Sequence, residues 1–146
     1  MTSVHNDRYA MRRRAGNPRL VGRTVLILES SADVADVIRE MLEAEGCLVV
    51  SHLHPQQGLQ QFAESPESFD IVLLDVSVAH FSYLRVAEQI WARADIPITL
   101  ICGLERTSLR THLPGRVFAG RVYKPFRRDD LIGALAAAVS GVPIEE

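Results

Sequence analysis

Apolar residues in this chain alternate between short continuous runs and longer segments that have one apolar face. Residues 25–28 form the first run, and Val34, Ile38 and Leu42 then recur at helical spacing. The same succession continues as far as Ser140, and it predicts five strands and five helices. The other strands are predicted at residues 47–50, 71–75, 96–101 and 117–123, and the other helices from Pro55, after Ser82, at 105–112 and at 129–140.

Strands that alternate with amphipathic helices are typical of a parallel sheet covered by helices on both faces. We therefore predict an α/β fold with a doubly wound, five-stranded parallel sheet. Ser30 and Asp33 are spaced as a capping pair for the first helix, and Gly46 can end that helix. Ligands of doubly wound sheets bind beyond the carboxyl ends of the strands. The residues at or near such ends, which one crevice can therefore contain, are Glu29, Asp75, Cys102 and Lys124.

Lys124 is the only lysine of the chain, and the other fifteen of its sixteen Lys and Arg residues are arginine. An ammonium is a compact point charge that suits one oxygen of a phosphoryl group, whereas a guanidinium fork suits bidentate carboxylate pairing. Asp75 follows an apolar run and places a carboxylate at the exit of a buried strand. The sequence thus makes Asp75 and Lys124 candidates for a single site.

Charge is distributed unevenly along the 146 residues, of which 47% are hydrophobic. Residues 1–23 contain six arginines and Asp7, a charge of +5, so the remainder carries −7 of the net −2. We predict a basic flexible arm at 1–23, one domain at 24–142 and a tail at 143–146 that is too short for an output domain. Arginines 12–14 could contact nucleic acid or an acidic partner, but no recognition motif accompanies them, so a solvated, disordered leader is the favoured interpretation and nucleic acid binding is not expected outside this arm.

Two features favour the cytoplasm. Cys47 and Cys102 lie in apolar runs without metal-ligand spacing, which indicates buried free thiols in a reducing compartment. No stretch approaches the roughly 20 apolar residues that cross a bilayer, and the basic N-terminus has no apolar signal-peptide core. Secretion and membrane spanning are not expected.

From residue 24 to 139 the chain resembles the receiver domain of bacterial two-component response regulators. Residues 71–75, Ile-Val-Leu-Leu-Asp, match the family's third strand and its phosphoacceptor aspartate, and Lys124-Pro125-Phe126 matches the turn after its fifth strand. The resemblance implies a flavodoxin-like strand order 2-1-3-4-5, phosphoryl contact by Lys124 and a cis bond before Pro125. It also implies a magnesium ion held by Asp75, Glu29 and the backbone carbonyl of Ser77, with Ser30 as a weak ligand.

The chain departs from that family at three positions of the site. The acidic pair after the first strand is Glu29-Ser30, so Ser30 stands where the family binds metal most directly, and metal affinity should fall. Cys102 replaces the hydroxyl residue at the end of the fourth strand, and thiols are poor hydrogen-bond donors. Arg121 stands at the position of the aromatic switch. Magnesium binding is therefore expected to be weak or absent.

Three hypotheses follow. The leading one is a phosphorelay signalling domain, not an enzyme, that takes phosphoryl onto Asp75 from a histidine kinase or histidine phosphotransfer protein and signals by protein–protein contact. The second is a degenerate receiver that acts as a docking or dimerisation module without phosphorylation. A flavodoxin-like small-ligand enzyme is third, because no Gly-rich phosphate loop follows the first strand. The resemblance places partner and homodimer contacts on the face from the fourth strand to the last helix, where the arginines are Arg106, Arg110, Arg116 and Arg121.

Overall fold

The structure, a computed structural model, describes residues 16–77, 82–103 and 109–141. The helices within these ranges are α1 Ala32–Ala44, α2 Pro55–Glu64, α3 Tyr83–Trp91 and α4 Arg128–Ser140, with a short 3₁₀ helix at Pro66–Ser68. The strands are β1 Thr24–Leu28, β2 Leu48–His52, β3 Ile71–Asp75, β4 Ile98–Gly103, β5 His112–Leu113, β6 Arg116–Val117 and β7 Gly120–Lys124.

The central sheet has the order β2-β1-β3-β4-β7, and every pairing in it is parallel. Because β7 is the fifth strand of this sheet along the chain, the predicted order 2-1-3-4-5 and the α/β class are confirmed. The register pairs Asp75 with Ile101 and Gly103 with Lys124. The ends of β3, β4 and β7 consequently lie at one edge of the sheet.

Alternate side chains of each strand enter two separate cores, as the pleat of a strand requires. On one face Ile27 and Leu73 pack in a cluster with Ile38 of α1 and Leu135 of α4. On the other face the apolar cluster contains Leu28 and Leu74 together with Phe62 of α2 and Ile90 of α3. All five residues of β3 are buried, since helices cover both of its faces. The doubly wound prediction is confirmed.

The predicted helix at 105–112 is wrong for the part that the structure describes. Residues 109–111 are not helical, and His112–Leu113 pairs antiparallel with Arg116–Val117 to form a hairpin. Residues 104–108 lie outside the described residues. Pro114 and Gly115 favour a tight reversal, and Gly115 has a φ of +76° there. The predicted strand at 117–123 is correspondingly divided between β6 and β7.

Helix ends are fixed by side chains close to the predicted ones. Ser31, not Ser30, caps α1, and its Oγ accepts a hydrogen bond of 3.3 Å from the Val34 amide. Ser82 caps α3 as predicted, with Oγ accepting from the Leu84 amide at 3.2 Å.

The packed part of the chain begins before the boundary predicted at Thr24. Leu20 is fully buried in the cluster that contains Ile38, and Gly22 donates a backbone hydrogen bond of 2.8 Å to the Gly46 carbonyl. Residues 20 and 22, which lie within the range predicted for the arm, therefore pack against the domain. The Leu20–Val21 pair, flanked by Arg19 and Gly22, is too short to show a period, which is why the sequence did not reveal this packing. Residues 1–15 and 142–146, including most of the predicted arm and the tail, lie outside the described residues.

In the ranges that the structure describes, no helix is long and apolar enough to cross a membrane.

Candidate functional site

Glu29, Asp75 and Lys124 come together at the carboxyl edge of the sheet. Glu29 directly follows β1, Asp75 ends β3 and Lys124 ends β7. Since these strands are parallel, their ends open onto the same crevice. Residues far apart in the chain are thereby collected at one place.

Lys124 bridges the two carboxylates. Its Nζ lies 3.1 Å from Glu29 Oε1 and 3.3 Å from Asp75 Oδ2. The ammonium donates a hydrogen bond of 3.3 Å to Glu29 Oε2, whereas the buried Oε1 receives no aligned hydrogen bond from the described residues. One ammonium thus pairs with two carboxylates, and Glu29 Oε1 still has lone pairs that accept no hydrogen bond from the described residues.

Burial makes this charge balance energetically important. Glu29 is 1% exposed and Asp75 is 2% exposed, whereas the Lys124 side chain is 30% exposed. Two buried carboxylates against one ammonium leave a net negative charge if both acids are ionised. Such a charge is costly away from water unless a further cation or a proton balances it. The site is therefore suited to binding a cation or a proton.

Asp75 is held in place by Ser77. The Ser77 amide donates to Asp75 Oδ1 at 2.9 Å, and the Ser77 hydroxyl donates to the same oxygen at 2.8 Å. Oδ1 is consequently saturated by the turn that follows β3, while Oδ2 faces Lys124. The two oxygens of the Asp75 carboxylate therefore have different environments.

The pKa values of the two acids shift in opposite directions. Burial raises the pKa of Glu29, and its hydrogen bond and charge contact with Asp75 raise it further, outweighing the Ser31 amide and Lys124. Burial also acts to raise the pKa of Asp75, but the hydrogen bonds from Glu29 and Ser77 and the Lys124 charge outweigh burial and leave that pKa lowered. Burial acts to lower the pKa of Lys124, yet its bonds to the two carboxylates raise that pKa overall. Glu29 is therefore the more readily protonated of the two acids, and Asp75 is the more readily ionised.

The other predicted positions lie around this centre. Ser30 is exposed, and its neighbour Ser31 donates an amide hydrogen bond of 3.0 Å to Glu29 Oε2. The Lys124–Pro125 peptide bond is cis. Cys102 is fully buried in the apolar cluster that contains Leu28 and Leu74.

Arg121 lies on the edge strand β7 with its guanidinium carbon 6.0 Å from the centre of the Tyr123 ring. The position that the resemblance assigns to an aromatic switch is therefore occupied by a cation stacked beside a tyrosine.

Sequence reasoning assigned Ser77 a role only through its backbone carbonyl and did not foresee its two bonds to Asp75. The signal was present, because a serine two residues after an aspartate at a strand end favours a local side-chain turn. The Ser31 amide bond to Glu29 was missed in the same way, since the cap was placed one residue too early.

The donor set has the chemistry of a magnesium site with few protein ligands. Magnesium takes oxygen ligands and keeps several waters, so one or two carboxylates suffice. Glu29 and Asp75 provide these, and the unpaired lone pairs of Glu29 Oε1 are available to an ion. Among the residues that the structure describes, no group of three or more His, Cys, Asp and Glu side chains is placed to hold a metal ion. The residues fit magnesium, but with fewer protein charges than a tight site would have.

An apolar cavity of about 680 Å³ opens beside Lys124. Val37 at its wall is 45% exposed, although it is a large aliphatic side chain. This exposed aliphatic side chain therefore adjoins the charged centre at Lys124. The cavity is lined by Asp33, Val34, Val37, Gly103, Lys124, Pro125 and Phe126.

The chain is similar to a known protein family and to curated members of it. A family model described as the response regulator receiver domain matches residues 25–136. The transcriptional regulatory protein PdtaR of Mycobacterium tuberculosis is 29% identical over 120 residues, which are 82% of this chain and 58% of that protein. The chain thus spans 58% of the length of the curated relatives it matches, in the strains CDC 1551 / Oshkosh and H37Rv.

Solved structures share the fold. The receiver domain protein from Clostridium thermocellum has a TM-score of 0.72 at 20% identity, covering 82% of this chain and 95% of that one. The receiver protein from Burkholderia phymatum has a TM-score of 0.71 at 20% identity, with 85% and 99% covered. At these identities the likeness concerns the fold alone.

Proposed function

Because this chain belongs to the response regulator receiver domain family, we propose that it accepts a phosphoryl group on Asp75 from a phosphohistidine donor. The family places the chain in two-component signalling, and the finer assignment depends on the site. The observation that carries it is the position of Lys124 Nζ, 3.3 Å from Asp75 Oδ2 and 3.1 Å from Glu29 Oε1 in one crevice.

The reaction uses the unsaturated oxygen of the acceptor. Asp75 Oδ2 attacks phosphorus, the phosphorus–nitrogen bond of the donor breaks, and the donor imidazole leaves with the electron pair and takes up a proton. An aspartyl phosphate forms. Lys124 neutralises charge on the transferred oxygens, while Ser77 keeps Oδ1 directed away from the incoming group.

Magnesium, when bound, supplies further neutralisation of the phosphoryl oxygens. Glu29, Asp75 and the Ser77 carbonyl would hold it, with Ser30 contributing weakly. A proton on Glu29 must leave for that carboxylate to bind the ion with full charge.

The partner in this proposal is a histidine kinase or a histidine phosphotransfer protein. Val34, Val37 and Phe126 form apolar surface next to Lys124, and a donor helix that carries its phosphohistidine into the crevice would cover it. We place the protein in the cytoplasm, which agrees with the buried free thiols of Cys47 and Cys102.

Acetyl phosphate with magnesium, followed by intact mass measurement, tests the phosphoacceptor assignment. The full chain is expected to gain one phosphoryl group, and Asp75→Asn is expected to gain none. A chain that stays unmodified at saturating acetyl phosphate would contradict the assignment. An equal adduct on Asp75→Asn would place the reaction elsewhere.

A second candidate function has an observation of its own. Ser30 is neutral and exposed, so the site has only two carboxylates, and burial raises the pKa of one of them, Glu29. A receiver with so little charge for metal could act as a docking module without phosphorylation. Ser30→Asp distinguishes the phosphoacceptor from the docking module, with magnesium affinity measured by calorimetric titration. If the variant binds magnesium more tightly and only the variant is phosphorylated, the natural chain is a docking module.

A further inference from the structure

A groove lies at the amino ends of β4 and β7, opposite the crevice that contains Asp75 and Lys124. Its volume is about 600 Å³, and its walls include residues just before these two strands, the β5–β6 hairpin and the end of α4. Ile96 and Pro97 precede β4, and Ala119 precedes β7. Because β4 and β7 are parallel, their amino ends share one edge of the sheet and their carboxyl ends share the other. The groove is therefore separate from the acceptor crevice and from the cavity beside Lys124.

The described residues leave apolar surface of this groove uncovered. Val117 of the hairpin lines it and is 71% exposed, the largest value among the exposed large apolar side chains of the described ranges. The rings of Trp91 and Phe118 also line the groove, with their centres 5.0 Å apart. The Trp91 indole N–H already donates to the Ile96 carbonyl at 2.8 Å, so this ring has only apolar surface left to offer. Burial of such surface is favourable, and the groove therefore suits an apolar segment.

The described part of the chain ends in the wall of the same groove. Gly141 lines it and ends α4 in the left-handed conformation, with a φ of +73°. The Gly141 amide donates to the Ala138 carbonyl at 3.3 Å, which is one of the two hydrogen bonds of a Schellman motif. In that motif the residue after the glycine commonly makes an apolar contact with the side chain five positions earlier. Here that rule pairs Val142 with Ala137, and Ala137 is a wall of the groove.

The sequence that follows Gly141 matches the chemistry of the groove. Residues 142–146 are Val-Pro-Ile-Glu-Glu, three apolar residues and then two acids. At the hairpin side of the groove the Arg116 side chain is 33% exposed, and it pairs with Asp95, whose side chain is 92% exposed. A guanidinium has five N–H donors, so Arg116 can accommodate a second carboxylate. Five extended residues span roughly 17 Å, so a segment that starts at Gly141 can bring its acidic end to Arg116.

We infer that residues 142–146 of this chain occupy the groove, with Val142 and Ile144 on its apolar walls and the acidic end beside Arg116. A segment held there covers Val117 and the exposed edge of the Trp91 wall, so this end of the molecule is filled by the chain itself and not by a partner. The contact uses neither of the residues proposed for phosphoryl transfer, and it is therefore independent of that function.

Trp91 is the only tryptophan of the chain, so its emission reports on the groove. In the full chain, Ile144→Asp should shift the emission maximum to longer wavelength and increase quenching by acrylamide, because a carboxylate does not remain on an apolar wall. Leu48→Asp is the matched control, since Leu48 is 62% exposed on β2 and does not line the groove. It should leave both readouts unchanged. Emission and quenching in Ile144→Asp equal to those of the natural chain would overturn the inference.

Nuclear Overhauser effects measure the same contact directly in the natural chain. The methyl protons of Ile144, assigned with Ile144→Val, should give cross-peaks to the ring protons of Trp91, and Asp75→Asn should keep these cross-peaks. In a mixture of labelled and unlabelled chains, isotope-filtered spectra should show none between molecules. Missing cross-peaks in the uniformly labelled chain would overturn the inference. Cross-peaks between molecules would assign the groove to the end of a second copy and would overturn it equally.

Discussion

Glu29 and Asp75 show how two acids in one crevice take different roles. The pKa of Glu29 is raised by burial and by its contact with Asp75, and the pKa of Asp75 is lowered because the bonds from Glu29, Ser77 and Lys124 outweigh burial. Environments that separate the pKa values of neighbouring carboxyls assign one as proton holder and the other as anion. Asp75 is thus the more readily ionised of the two acids, which suits the nucleophile role proposed for it, and Glu29 is the more readily protonated.

The free energy of unfolding of Glu29→Gln should increase relative to that of the natural chain as the pH rises. A raised folded pKa means that the folding free energy from Glu29 is fully present below its unfolded pKa, near 4.5, and is lost as the pH rises through the folded value. Glutamine mimics the protonated acid and avoids this loss. Urea unfolding at a series of pH values from about 4 upward measures the difference between variant and natural chain.

Glu40→Gln is the matched control for that series, because Glu40 is an exposed residue of α1. Its difference from the natural chain should stay flat over the same pH range. A flat difference for Glu29→Gln as well would show that Glu29 gains no destabilising charge on folding.

The position of a charged residue at a strand end was enough to find Asp75, Lys124 and Glu29 in the sequence. Each follows an apolar run whose length and composition indicate a strand, and parallel strands bring such ends together. The bonds from Ser77 could be suspected from local spacing, but the hydrogen bonds between the Tyr83 hydroxyl and the Arg110 backbone could not. They join residues 27 positions apart whose meeting depends on the path of the chain before the hairpin.

The helices and sheet strands were predictable wherever periodicity was sustained, as in α1 and β3. The prediction was wrong between β4 and β7. Leu109 and Leu113 have helical spacing, but Leu109 lies in a non-helical segment and Leu113 lies in the β5–β6 hairpin. Pro114 and Gly115 set the reversal, and local turn chemistry prevails over a short apolar repeat.

The turn at residues 16–23 closes the end of the domain that lies away from the crevice. Leu20 is fully buried, and the Cys47 thiol donates a hydrogen bond of 3.5 Å to its carbonyl. Burial and the nearby Glu45 charge raise the pKa of Cys47 to about 11, which keeps the thiol protonated as a donor. This turn lies before residue 25, where the family match begins.

Leu20→Ala should lower the free energy of unfolding by about 2 to 4 kcal/mol, the usual cost of a buried leucine truncation. Val21→Ala is the control, because Val21 is 48% exposed and should cost much less. Chemical denaturation of both variants measures the difference. Equal, small losses would mean that the turn contributes little to the fold.

The molecule as a whole presents two separate surfaces near the proposed phosphorylation site. The cavity beside Lys124 contains the apolar side chains that a donor protein would cover. Phe126 of that cavity packs against the core that contains Ile27 and Leu73, whereas Leu113 of the β5–β6 hairpin packs in the core that contains Leu28 and Leu74.

Val37→Glu should slow phosphoryl transfer from a phosphorylated histidine phosphotransfer domain more than it slows labelling by acetyl phosphate. The new carboxylate lies in the apolar cavity that the protein donor would cover, whereas the small donor needs only the crevice. Leu48→Glu is the control, since Leu48 is a 62% exposed leucine on β2 and does not line that cavity. Quenched time courses measure the rate of transfer from the phosphotransfer domain and the rate of labelling by acetyl phosphate. Equal effects of the two variants would place donor contact elsewhere.

The most direct test of the account is to locate the phosphoryl group in the chain. Borohydride reduces an acyl phosphate to an alcohol, so an aspartyl phosphate at position 75 is read as homoserine by peptide mass spectrometry. After transfer from a phosphohistidine donor, homoserine is expected at position 75 in the natural chain and not in Asp75→Asn. Retention of unmodified aspartate at position 75, with the donor dephosphorylated or with homoserine at another position, would contradict the assignment of this crevice as the acceptor site.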